Sequence, residues 1–166
     1  YDFIWDTYCD WYIELTKARL YGEDADRKQT AIQVLVYVLD QVLRLLHPFM
    51  PFITEEIWQS LPHEGPALIV AKWPEYREDL NFGAEQSHME SVMEVIRAIR
   101  ARRTEMNVPP SKKAALFILT GKPQVYQEGE GFIQRLAYAD TVTLLDAEPE
   151  NLDGMVTITT ADAKLY

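Results

Sequence analysis

A single cysteine, Cys9, stands among 166 residues, so no intramolecular disulfide can form and stability must come from a packed core. Histidine is nearly as scarce. His47, His63 and His88 are scattered without ligand spacing, which leaves no zinc site of the usual kinds and no metal expected. No uninterrupted apolar run approaches the ~18 residues that a membrane-spanning helix needs, and no secretory leader is visible. Together these point to a reducing, cytoplasmic setting with no membrane partner. A phosphate-cradling loop is missing too, since Gly121-Lys122 lacks the glycine spacing of one. Glu55 and Glu56 are adjacent, so on a helix they point about 100° apart and cannot form a catalytic carboxylate pair. No catalytic constellation remains.

What is present suits a globular protein of one domain or two small ones. Hydrophobic residues make up 48% and aromatics 11%, well outside the range of disordered chains. The net charge of −10 argues against a general nucleic-acid binder, but it is unevenly spread. Between residues 97 and 113, Arg97, Arg100, Arg102, Arg103, Lys112 and Lys113 face one acid, Glu105; this stretch carries +5 and the rest −15. A local basic patch on an acidic body can meet phosphates while the body repels non-specific RNA. The alternative is a solvated helix end whose cations offset the C-terminal dipole.

Periodicity divides the chain into a helical half and a mixed half. Ile4, Tyr8, Trp11, Leu15 and Ala18 form a stripe on a first helix over 1–21, with Gly22 as its stop. Phe3, Trp5 and Tyr12 lie off that stripe, making this helix apolar on more than one side. A second helix is predicted over 24–47, its buried face built from Ile32, Leu35, Val36, Leu39, Val42, Leu43 and Leu46. Pro48 ends it and Pro51 opens a third helix, where a missing N–H costs nothing. Residues 62–82 read as an irregular connection with a short strand at 68–71. A long fourth helix is expected over 84–106, broken by Asn107, Pro109 and Pro110. Then come a strand over 114–119, a helix over 124–138 weakened by Gly129 and Gly131, and β-rich segments at 142–145 and 155–160. The fold class is therefore mostly α, a helical bundle over 1–82 followed by a long linking helix and small α/β unit over 83–166.

Few residues suggest chemistry. On the fourth helix Met89, Val92, Met93 and Ile96 share a face that Arg100 and Arg103 continue, with Arg97 and Arg102 on its flanks. Such a stripe either lines a groove or buries its guanidiniums against acids such as Glu55 or Glu56. In the first case it suits RNA, because arginine's planar fork fits phosphate oxygens and its plane stacks on unpaired bases. The Pro109-Pro110 step would hold Lys112 and Lys113 in a fixed position beside the helix end. Arg97, Arg100, Arg103, Lys112 and Lys113 are thus the candidate RNA-binding residues. Trp5, Trp11, Tyr12 and Trp58 either stack on bases or, as is usual at helical spacing, belong to the core. His47, next to a helix-breaking proline, caps carbonyls or packs.

Three segments carry a resemblance. Leu43–Leu61, LRLLHPFMPFITEEIWQSL, resembles the helix-turn-helix signature of the anticodon-binding domain shared by the valine, isoleucine and leucine class I aminoacyl-tRNA synthetases. Trp5–Lys17, WDTYCDWYIELTK, and Arg97–Lys113, RAIRARRTEMNVPPSKK, look like the valyl-tRNA synthetase family. The isoleucyl family shares the helix-proline-helix signature, while Cys9-Asp10-Trp11-Tyr12 and Glu105 to Pro110 favour the valyl one.

The resemblance implies a helical domain that binds the anticodon stem and loop of valine tRNA, followed by a small α/β extension. ATP and Mg would serve the parent ligase and not this segment, which has no His-x-Gly-His element and no Lys-Met-Ser-Lys-Ser loop. With Tyr1 opening the sequence, the chain reads as the back part of a larger ligase whose catalytic domain is its other partner. In the family the bundle also receives a helix from upstream, so an apolar groove beside residues 1–12 and weak self-association are expected. A non-catalytic helical module that docks a protein partner is the other class of function, favoured by the net acidity.

Overall fold

A computed structural model describes residues 2–166, and the chain forms two compact units, Tyr1–Glu78 and Asp79–Tyr166. Among the described residues, the regular elements of the first are all helices. Its opening helix, α1, starts as Phe3–Ile13 with π-type hydrogen bonds and continues as Glu14–Leu20 in α geometry. Closing each bond five residues back widens the turn, so a 3.6-residue stripe no longer falls on one face. The expected stripe is only partly buried: Tyr8 and Leu15 are buried, Ile4 and Trp11 half-buried, and Ala18 exposed. Thr16 Oγ1 lies 3.0 Å from both the Tyr12 and Ile13 carbonyls where the two geometries meet. Tyr8 donates its hydroxyl to the Leu35 carbonyl at 3.0 Å, fastening α1 to the next helix. Phe3 and Trp5 are more than half exposed.

α2 spans Ala25–Leu46, and Asp24 caps it by accepting from the Asp26 and Arg27 N–H groups. Such a cap stabilises a helix by about 1 kcal/mol. The broad buried face expected for α2 narrows to Ala31, Val42 and Leu43. Ile32 is exposed, and Leu35, Val36, Leu39 and Leu46 are half-buried. α1 and α3 cover only part of its circumference. By length and hydropathy α2 also meets the minimum for a membrane span, but its interior carries the Asp40–Arg44 ion pair and it packs in the bundle.

α3 is Pro51–Gln59, with proline at its start. His47 Nδ1 lies 2.8 Å from Thr54 Oγ1, which itself donates to the Met50 carbonyl at 2.7 Å. A hydroxyl has one proton, so where Thr54 gives it to the Met50 carbonyl it accepts from the imidazole. His47 thus ties the end of α2 to the start of α3. Fully buried Trp58 packs with Leu43 and Leu68 to make the core of this unit.

Residues 68–71 do not form the expected strand. Leu68–Val70 is a single 3-10 turn, because the Leu68 N–H donates to Glu55 Oε2 at 2.9 Å and its side chain plugs onto Trp58. Ile69 and Val70 point outward.

The second unit begins, after a 3-10 turn at Glu78–Leu80, with α4, Gly83–Glu105. β1 (Ala114–Thr120), α5 (Pro123–Glu128), α6 (Glu130–Leu136) and β2 (Ala139–Leu145) make a parallel β-α-β crossover. β3 (Ile158–Thr159) and β4 (Ala163–Leu165) complete a four-stranded sheet of order β2-β1-β4-β3, with β4 antiparallel to β1. The single helix expected over 124–138 is broken at Gly129, where α4 passes so close that a β-carbon would sit 2.6 Å from Val92 Cγ2. The strand expected over 155–160 shrinks to two residues. β4, whose Ala-Lys-Leu composition carries little strand preference, forms because it pairs with the free edge of β1.

Candidate nucleic-acid interface

The cationic run straddles the C-terminal end of α4, and its local geometry follows from Asn107. This residue takes a left-handed conformation at φ 53°, with Val108 N–H donating to the Arg103 carbonyl at 2.8 Å and Asn107 N–H to Thr104 at 3.0 Å. The paired bonds form a Schellman cap, in which asparagine is the best substitute for glycine. The chain reverses, and Lys112 N–H closes a turn on the Pro109 carbonyl at 3.0 Å.

Arg103 holds that turn. Its Nη2 donates to the carbonyls of Pro109, at 2.9 Å, and Lys112. Arg100 Nε donates to the Leu136 carbonyl at 2.7 Å, at the end of α6. The Arg103 contacts are to carbonyls and not to the carboxylates that the other reading of the stripe would supply. Glu55 is engaged by Gln59 Nε2 at 2.7 Å and by Leu68 N–H, which hold its carboxyl below the usual range, the Gln59 bond most of all. A guanidinium fixed by carbonyls keeps its whole positive charge, and no carboxylate among the described residues pairs with Arg103.

These contacts frame a cleft of about 330 Å³ lined by Arg100, Arg103, Thr104, Val108, Pro110 and Tyr138. Tyr138 follows α6 in the left-handed region, φ 57°, and the Arg103 guanidinium carbon lies 5.7 Å from its ring centroid. Two guanidiniums and a tyrosine ring in one lining equip it to bind an anion or a flat ring. No group of metal-ligating side chains occurs among the described residues.

Of the five candidate residues, Arg100 and Arg103 come together in the cleft. Lys112 and Lys113 leave the turn that Arg103 clasps and are exposed, as is Arg97, further back on α4 and outside the cleft lining. Arg102 is paired with Glu105 at 3.0 Å. Tyr138 was hidden from sequence reasoning because it sits at the end of a segment read as one continuous helix. The aromatics considered for stacking divide: Trp58 is core, Trp11 and Tyr12 are half-buried, and Trp5 is mostly exposed.

The chain thus joins a helical unit with a helix-proline-helix joint to a helix ending in arginines and a small α/β layer. Residues 1–118 match the family described as the anticodon-binding domain of tRNA ligase, and the chain belongs to that family. Over 138 residues it is 51% identical to the valine--tRNA ligase of Bacillus licheniformis, covering 81% of this chain and 16% of that protein. It is 56% identical over 120 residues to the Geobacillus stearothermophilus valine--tRNA ligase, covering 72% and 14%. With the Oceanobacillus iheyensis valine--tRNA ligase it shares 43% identity over 163 residues, covering 95% and 18%. The chain therefore spans about one-sixth of the length of these relatives.

Proposed function

We propose that this chain is the anticodon-binding part of a valine–tRNA ligase, holding the anticodon stem-loop of valine tRNA while a catalytic domain of the same polypeptide charges it. The observation that carries this reading is the family match over 1–118, joined to identities of 51% and 56% with ligases named for valine. Those names favour it over the isoleucyl alternative, and the family match favours it over a protein-docking module. ATP and Mg belong to the catalytic domain of such an enzyme, and the cytoplasm is its place of work. Arg97, Arg100, Arg103, Lys112 and Lys113 are the residues assigned to RNA; the charged, acid-free cleft supports that for Arg100 and Arg103.

Titration of the chain with valine tRNA and an unrelated tRNA, at low and at physiological salt, tests the reading. Tighter binding of valine tRNA at both salts is expected. Equal, wholly salt-suppressed binding of both would reduce it to non-specific phosphate attraction.

A further inference from the structure

Resting on that reading, we infer that the Arg100–Arg103–Tyr138 cleft is a single-nucleotide site, in which an unpaired base stacks on the Tyr138 ring and its phosphate meets the two guanidiniums. Three observations converge on it. Tyr138 occupies a left-handed conformation, φ 57°, at the end of α6, where glycine would sit without strain and where a bulky aromatic is an outlier. A strained side chain kept at such a point is a pointer to use. Its ring lines a cleft of about 330 Å³, at the small end of the ~300–1,000 Å³ that ligand clefts span, which suits one flat ring and not a duplex.

The cations are also already in place. Arg103 is fixed by the Pro109 and Lys112 carbonyls and Arg100 by that of Leu136, so little side-chain freedom is lost when an anion arrives. With Arg103 at 5.7 Å from the Tyr138 centroid, cation, ring and cleft form one platform, the combination by which single strands are held without reading sequence. With both guanidiniums turned to phosphate, the lining leaves only the Thr104 and Tyr138 hydroxyls for a base edge, so selection rests on stacking. The site recognises that the nucleotide is unpaired.

The experiment compares the intact chain with Tyr138→Gly and Tyr138→Phe, using a labelled valine-tRNA anticodon hairpin and a fully paired duplex of the same composition. A second hairpin carries 2-aminopurine in its loop. Tyr138→Gly should bind the hairpin roughly 5- to 150-fold more weakly, the range that loss of one stacked base gives, with duplex affinity unchanged. Tyr138→Phe should keep both affinities and the 2-aminopurine quenching that Tyr138→Gly abolishes. Because glycine relieves the left-handed strain, the melting temperature of Tyr138→Gly should hold or rise, separating lost stacking from lost folding. If Tyr138→Gly binds the hairpin as the parent does while Arg100→Ala and Arg103→Ala weaken it, the cleft takes phosphate only; this inference then fails and the anticodon-binding reading stands. If the unaltered chain binds neither RNA at low salt, both fail.

Discussion

Trp58 donates its indole N–H to Asp40 Oδ1 across 2.7 Å, a bond that joins the middle of α2 to the last turn of α3 at the centre of the first unit. Asp40 does more than accept. Arg44 approaches its other oxygen at 2.9 Å while donating Nη1 to the Lys72 carbonyl, so one carboxylate links the tryptophan to the segment beyond α3. The other side of Trp58 meets the His63 ring, with centroids 3.9 Å apart, and His63 Nδ1 is 2.8 Å from the Leu61 carbonyl. A fully buried indole would otherwise leave a donor without a partner.

Asp40→Ala should therefore cost about 1–3 kcal/mol, the desolvation penalty of an orphaned buried donor. Asp40→Asn retains an oxygen for the indole and should cost less. Urea denaturation of both variants checks this. Equal losses would mean that the ion pair with Arg44, and not the indole bond, carries the effect.

The two glycines beside α5 and α6 should respond in opposite directions. Gly129 has an ordinary backbone, φ −84°, so its constraint is space: a β-carbon would meet Val92 Cγ2 at 2.6 Å and the Val125 carbonyl at 3.2 Å. Val92 is itself buried, so Gly129→Ala should destabilise by about 1–3 kcal/mol through overpacking. Adding Val92→Ala should return part of that loss, a coupling that a double-mutant cycle measures. Gly131 has nothing within 4 Å of a β-carbon, and Gly131→Ala should stabilise by about 0.5–1 kcal/mol. Helix propensity alone would have both substitutions stabilise; the close approach of Val92 sets Gly129 apart.

The elements legible in the sequence are those with local punctuation. Asp24 and Pro48 bracket α2, Pro51 opens α3, and Asn107 with Pro109 closes α4, each through a backbone rule that acts within a few residues. What escaped depends on distant partners. Leu68–Val70 is a turn and not a strand because Glu55 holds its N–H, and β4 exists because β1 has an edge to fill. The same division runs through the candidate site. Its arginines were visible as a charged run, whereas Tyr138 joins them only because the β-α-β crossover returns α6 to the end of α4.

Tyr126 gives a pH test of the second core. Its side chain is 1% exposed, and its hydroxyl finds no hydrogen-bond partner among the described residues. Burial, aided by the charges of Asp162 and Glu94, pushes the phenol up to about 12 from its ordinary 10.0. Because the folded value lies above the unfolded one, the neutral phenol's contribution is complete below pH 10 and is lost as pH rises towards 12. Tyr126→Phe removes both the unpaired hydroxyl and the titration. It should be more stable than the parent by about 1 kcal/mol at pH 7. That margin should widen between pH 10 and 12, as read from urea midpoints. A margin that stays constant over that interval would show that the phenol ionises equally well in both states.

The basic run should separate into residues that bind and residues that also build. Lys112 and Lys113 are exposed, and it is the Lys112 carbonyl, not its ammonium, that Arg103 holds. Truncating either lysine to alanine should leave stability within ~0.5 kcal/mol, as for most surface changes. If they meet phosphates, each loss should also lower the salt slope of tRNA binding by about 0.7–0.9. Arg103 is different, because its fork spans two carbonyls of the turn that presents those lysines. Arg103→Ala should lower both the melting temperature and RNA affinity, and Arg103→Lys should not restore the turn, since an ammonium lacks the planar fork. Paired melting and fluorescence-anisotropy titrations over a salt series measure both quantities on the same samples. An Arg103→Ala protein with parental RNA affinity but reduced melting temperature would make this arginine purely a clasp, and would leave phosphate contact to Arg100 and the lysines.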